Sequence, residues 1–284
     1  MKIVAIANHK GGSAKTTTTV NLAAAMGELG HRVLVIDLDP QGSTTNWLGS
    51  QLADRSILDA YLARADLSTY ARKTSAPGVY LVQSSPWLVA TDRAEEIAIS
   101  LGIIATLEQL EPHWDRVLID CPPSQGALAT AALAVASNVI VPVETRALAL
   151  TGLVSLLGTM DAIRERLNPG LKLDAIIACR VNRTKHAREV VQRMRAHYPG
   201  LVLDAVIRES TGLAEAPSFQ LPITRYAPAA AGAHDYRAVT LELLERERLV
   251  DALARRPSDE AALTRPAPFR LEPSRRPRAD GRPS

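Results

Sequence analysis

Cysteine is scarce. Cys121 and Cys179 are the two thiols in 284 residues, far apart and without metal-ligand spacing. A disulfide framework, a zinc site and an iron–sulfur cluster between protomers are therefore not supported. No run of eighteen apolar residues occurs, so a transmembrane helix is not expected. Met1 and Lys2 pass directly into an apolar strand-like stretch with no signal peptide, and a cytoplasmic location is expected. Aromatic residues make up 4% of the chain, and none interleaves with a basic cluster as a base-reading surface would require. Strong charge is also missing from most of the chain. The net charge is +3, but residues 255–284 carry eight arginines against four acids, leaving the rest about −1. A basic isoelectric point thus does not argue for a DNA-binding body; such a site must come from local clustering.

What is present begins at once. Ile3 to Ala7 is short, β-branched and without alternation, which suits a strand buried on both faces of a parallel sheet. Gly11 and Gly12 follow, permitting a sharp turn whose N–H groups converge on an anion. Lys15 then opens a helix with Thr16 and Thr17 in its first turn. Its unpaired N–H groups and positive dipole end suit a phosphate, and the Thr16 hydroxyl suits Mg²⁺. The stretch reads as a phosphate-binding loop, with Ser13 and Ala14 inside it.

A second apolar strand, Arg32 to Asp37, runs into Asp37-Leu38-Asp39-Pro40-Gln41-Gly42. Extended geometry predicts that Asp37 and Asp39 share one face at the strand's carboxyl end, where open α/β sheets place ligands. A third, Arg116 to Asp120, ends in a carboxylate that fits the Walker B role of holding Mg²⁺ through its water shell. Pro122 and Pro123 stiffen its exit, and Cys121 is read as a packed core thiol. Strands are also expected at Val79 to Gln83, Asn138 to Val143 and Leu173 to Cys179, with helices at Thr91 to Leu110 and Ala149 to Leu167. Residues 43–76 read as helical and polar-mixed. The alternation predicts a doubly wound α/β fold, a mostly parallel sheet with helices on both faces, over residues 1–254. Residues 255–284, rich in Arg and Pro, cannot bury enough surface to fold alone and are expected to form a disordered basic tail.

Lys10, Gly11, Gly12, Lys15, Thr16 and Thr17 together resemble the deviant Walker A motif of the ParA/MinD family, in which a signature lysine precedes the glycines. Asp37 to Gly42, Asp120 to Ser124 and Leu213 to Ser218 resemble further segments of that family in the same order, so the resemblance is to ParA/Soj-type partition ATPases from Lys2 to about Arg246. It implies ATP and Mg²⁺ as cofactors, a P-loop NTPase fold and slow ATP hydrolysis. It also implies a catalytic Lys15, an Asp39 that activates the attacking water, and a Lys10 that crosses an ATP-dependent homodimer to the partner's phosphates. The family has glycine where this chain has Ala14, so altered nucleotide handling is expected without loss of binding. The adenine-side loop falls on Arg208 and Ser210, and the family's arginines there fall on Glu209 and Gly212.

Arg180, Arg183, Lys185, Arg188, Arg193 and Arg195 form a basic stretch, with Arg188 and Arg195 seven apart on one helical face. Arg183 aligns with a family arginine tied to nonspecific DNA binding. Phosphate binding by such a set would be salt-sensitive and independent of sequence. The resemblance thus implies a DNA-segregating or cargo-positioning ATPase on the nucleoid with a ParB-type stimulating partner. The alternative is a MinD-like membrane-cycling positioner. The Pro- and Arg-rich end lacks the apolar face such a cycler needs, and no membrane contact is expected.

Overall fold

The computed structural model describes residues 1–49, 55–89, 93–110, 112–145 and 149–254; the expected tail and Thr91 lie outside the described residues. The first unit is β1 (Lys2–Ile6), the glycine turn and α1 (Lys15–Glu28). β2 (Val33–Asp37), α2 (Ser43–Leu48) and α3 (Ile57–Ala63) follow. Then come β3 (Arg72–Lys73), β4 (Val79–Val82), α4 (Arg93–Glu108) and β5 (Arg116–Asp120). α5 (Ala127–Val135), β6 (Asn138–Glu144), α6 (Ala149–Arg166) and β7 (Lys172–Cys179) complete the sheet. α7 (Lys185–His197), α8 (Thr211–Glu215), α9 (Ile223–Tyr226) and α10 (Ala231–Ala254) close the described chain.

The sheet runs β3-β4-β2-β5-β1-β6-β7 and is parallel apart from the β3–β4 pair. It is the doubly wound α/β architecture expected. β3 is a departure, because residues 72–73 lie inside the stretch read as helical; two residues of strand at an edge carry too little pattern to register. A second departure follows Cys179. Strand–helix alternation stops there, and isolated bridges at Ile176–Val202 and Val181–Arg208 replace a further strand.

Residue parity on the strands sorts the core into two layers. Ala5, Leu34, Ile36, Val117 and Ile119 face α3 to α7, while Val4, Ile6, Val33, Val35 and Leu118 face α1, α2, α9 and α10. Each strand is therefore apolar on both sides, which explains the unalternating runs. In register, Ile6 and Asp37 both lie beside Asp120, so the carboxyl ends of β1, β2 and β5 finish at one level.

α1 carries Thr16, Thr17, Thr18 and Thr19 in succession, a run of weak helix formers. Several of these hydroxyls have a partner. Thr16 and Thr19 donate to Asp120, Thr19 also to the Lys15 carbonyl, and Thr18 pairs with the Tyr236 hydroxyl. The run thus ties α1 to β5 and α10, and buried Leu22 and Met26 extend the packing, each contributing about 1.5–3 kcal/mol. Gly30, at φ +87°, ends the helix: the His31 N–H donates to the Met26 carbonyl and the Gly30 N–H to that of Gly27.

Candidate nucleotide site

The loop from Gly11 to Ala14 wraps a cavity of about 270 Å³ at the carboxyl end of β1, walled also by Lys15, Thr16, Thr17, Asp39 and Arg180. Asn8 sets the approach. It is buried, its Nδ2 donates to the Pro142 carbonyl and its Oδ1 accepts the Lys10 N–H. Gly152 of α6 comes so close that a Cβ there would meet Asn8 Oδ1 at 2.5 Å and Lys10 Cβ at 2.9 Å. Glycine at 152 lets the helix hold the Lys10 turn in place.

Gly12 and Ala14 both adopt φ +71°. For Ala14 this left-handed conformation costs about 1–2 kcal/mol, because the Cβ crowds the following carbonyl. Ala14→Gly should therefore raise stability by roughly 1 kcal/mol, read as a higher thermal midpoint of the nucleotide-free chain. An unchanged or lower midpoint would contradict this. Ala14 supplies no side-chain cap to α1, and the adjacent Ser13 hydroxyl is buried without a hydrogen-bond partner. An uncapped helix start and an unpartnered hydroxyl fit a bound anion.

Lys15 is 7% exposed, and its ammonium donates to the Lys10 carbonyl at 3.5 Å. Burial holds its pKa below the usual lysine value, partly offset by Asp120, Cys121 and Asp39. Asp120 is fully buried. Its Oδ2 accepts from Thr16 at 2.8 Å and Thr44 at 2.6 Å, and its Oδ1 from Thr19 at 3.3 Å. Burial pushes it up to about 6, against the pull of the Thr44 and Thr16 hydroxyls and of Lys15. The Asp120 carboxylate with the Thr16 hydroxyl is an all-oxygen donor set of the kind that suits Mg²⁺.

Asp37 and Asp39 part company. Asp37 is fully buried, with Oδ2 accepting from the Thr45 N–H and hydroxyl and Oδ1 from the Asp39 N–H. Burial first and the Asp120 charge second push it up to about 8. Asp39 is half-buried and lines the cavity, its Oδ1 accepting the Gln41 N–H. The expected shared face fails because β2 ends at Asp37, and the Asp37 side chain folds the next two residues into a turn. Thr44, Thr19 and Asn8 belong to the site and went unread, since their roles depend on partners 76, 101 and 134 residues away in the chain. Cys121 is buried with its thiol pKa raised, in keeping with a core thiol.

A second cavity of about 200 Å³ adjoins the first through Ala14, Thr17 and Arg180, and Arg208, Ser210 and Tyr236 line it. The sequence-predicted loop residues Arg208 and Ser210 thus come together with the phosphate loop.

A family model described as an AAA domain matches residues 1–173. The chromosome-partitioning ATPase Soj of Thermus thermophilus is 39% identical over 245 residues, covering 86% of this chain and 95% of Soj. The chromosome partitioning protein ParA of Caulobacter vibrioides is 35% identical, covering 87% and 96%. The chain belongs to the ParA/Soj family of ATPases. Among solved structures, cobyrinic acid a,c-diamide synthase from Mycobacterium smegmatis, with bound ADP and magnesium, superposes with a TM-score of 0.72 at 31% identity, covering 87% of this chain and 96% of that one.

Against that ParA/Soj frame the basic stretch divides. Arg183, Lys185, Arg188 and Arg193 are exposed, on α7 or in the turn before it, and Lys185 also pairs with Glu189 at 3.7 Å. Arg195 is placed differently: its Nη2 donates to the carbonyls of Leu203 and Asp204, tying α7 to the loop behind it. Arg180 is placed differently too, in the wall of the phosphate cavity with Nη1 2.9 Å from Glu144 Oε1.

Proposed function

We propose that this chain is a partition-type ATPase: ATP pairs two protomers, the pair binds double-stranded DNA nonspecifically, and a ParB-type partner stimulates hydrolysis and release. The observation that carries the reading is the convergence of Lys15, Thr16 and Asp39 on one cavity at the carboxyl edge of the sheet, with buried Asp120 behind it accepting from the Thr16 hydroxyl. Lys15 and the N–H groups of residues 11–17 hold the β and γ phosphates. Thr16 and Asp120 hold Mg²⁺, which supplies charge neutralisation at the phosphates. Asp39 accepts a hydrogen bond from the attacking water and orients it. Lys10, held by Asn8 and packed against Gly152, reaches the partner protomer's phosphates. The body is residues 1–254, and residues 255–284 are a basic tail.

The DNA surface is the exposed set Arg183, Lys185 and Arg188, doubled when two protomers pair. Among the described residues no helix is long and apolar enough to cross a membrane. Near the end of α10, Leu249 and Val250 are exposed, but Arg246 and Glu247 beside them make ion pairs within the fold, which favours DNA over a lipid surface. Charge reversal at Arg183 and Arg188 should remove the ATP-dependent part of DNA binding and flatten the salt dependence by about 0.9 log units for each phosphate no longer neutralised. Truncation after Arg256 should weaken binding alike with and without ATP. Filter binding over a salt series tests both, and ATP dependence erased by truncation alone would move the site to the tail.

A further inference from the structure

His9 is a half-buried titratable side chain that the proposed reaction leaves unused. Its Nδ1 lies 3.2 Å from Ser155 Oγ of α6, and Gln125 Nε2 donates to the same oxygen at 2.5 Å. Ser155 stands one turn beyond Gly152, the glycine whose close approach holds the Lys10 turn. Gln125 belongs to the loop that leaves β5 after Asp120, and Pro123 of that loop lines the phosphate cavity. One serine hydroxyl therefore joins the residue before Lys10 to the loop behind Asp120, with side chains from three separate segments.

A proton-transfer role for His9 does not fit this setting. Its Nε2 is buried without a hydrogen-bond partner among the described residues, so a protonated ring would carry an N–H that nothing receives. Burial first and the Lys15 charge second hold its pKa below the ordinary histidine value. The ring stays neutral and serves as a strut. On the amino side of Lys10, Asn8 Oδ1 accepts the Lys10 N–H and Ser155 engages the His9 ring, so two successive residues are pinned. On the other side Gly11 and Gly12 restrain the backbone little. Without the strut the turn can pivot on these glycines, and a long lysine side chain that must be ordered across an interface then loses more conformational entropy on binding.

We propose that His9 is a positioning residue for Lys10, locked by Ser155 and, through Ser155, by Gln125. The bridge holds the Lys10 turn in the orientation that offers its ammonium to the second protomer, and it makes that orientation depend on the loop that follows Asp120. The inference rests on the proposed reach of Lys10 across the dimer and adds the side chains that hold it there.

Sedimentation of the full chain with a non-hydrolysable ATP analogue and Mg²⁺ measures pairing, and calorimetry with ADP and Mg²⁺ measures nucleotide binding apart from it. His9→Leu, Ser155→Ala and Gln125→Leu should each weaken dimerisation about tenfold, the scale of one hydrogen bond, and leave ADP affinity within about twofold. The double variant of His9→Leu with Ser155→Ala should be no weaker than either single one, because both remove the same contact. His9→Asn puts an amide near the Nδ1 position and should bring dimerisation back to within about threefold of the wild type. Circular dichroism melts without nucleotide establish that each variant is folded. With Lys10→Ala monomeric, bridge variants that paired like the wild type, losses that added in the double variant, an equal loss of ADP affinity, or no recovery in His9→Asn would each overturn the bridge. A Lys10→Ala chain that paired fully would overturn the reach of Lys10 itself, and the bridge with it.

Discussion

Lys15→Ala abolishes nucleotide binding, with an expected loss on the order of a thousandfold, the scale set by removing one partner of a buried charge pair. The ammonium is almost wholly buried inside the phosphate loop, and its hydrogen bond to the Lys10 carbonyl is a long one. Without a ligand that burial is a cost, which is why the lysine's pKa is held down. Removing the side chain should therefore leave the nucleotide-free protein at least as stable as before, while the thermal shift caused by ATP disappears. The two readouts separate a failure to bind ligand from a failure to fold. Calorimetry that returned wild-type ATP affinity for a folded variant would contradict the assignment of this loop.

Asp39→Ala acts on a different step. The residue contributes little to the fold through its carboxylate, since Oδ1 accepts one N–H, from Gln41, in a half-buried turn. Its place is the wall of the phosphate cavity, which it shares with the glycines. Taking away the water's acceptor should lower ATP hydrolysis by about a hundredfold or more and leave ATP affinity within about threefold. The protein should then persist as an ATP-bound pair on DNA. Phosphate release and sedimentation in saturating ATP check this, and a monomeric, ATP-bound Asp39→Ala would count against the role. The neighbouring Asp37 should behave as a structural residue, because it is buried and holds Thr45 and the Asp39 N–H.

The contrast between these aspartates marks the limit of the sequence. Lys10 to Thr17 was legible because a phosphate loop is local: strand, glycines, lysine and helix start lie within a few residues, and the elements formed where the pattern put them. Short apolar runs likewise read β1, β2 and β5, with Asp120 at the end of the last. The shared face of Asp37 and Asp39 was misjudged because alternation holds only while the chain stays extended, and β2 ends at Asp37, where its own carboxylate takes the Asp39 N–H. Thr44 and Thr19 were illegible for another reason: nothing near a threonine says that a carboxylate will arrive from another strand. The basic stretch failed in the same way. Arg180, Arg188 and Arg195 look alike in composition, but Glu144 holds the first in the cavity wall, solvent surrounds the second, and the carbonyls of Leu203 and Asp204 capture the third.

In the proposed function ATP joins two protomers through Lys10. The turn carrying it is fixed by Asn8 and by the close approach of Gly152, while the wall of its own protomer's phosphate cavity is built from Gly11 onward. Sedimentation with a non-hydrolysable ATP analogue and Mg²⁺, comparing the wild-type chain with Lys10→Ala, measures this most directly. The wild type should sediment as a dimer, and Lys10→Ala should bind the analogue with near wild-type affinity yet stay monomeric. A Lys10→Ala chain that dimerised as fully as the wild type would contradict a role for Lys10 across the dimer.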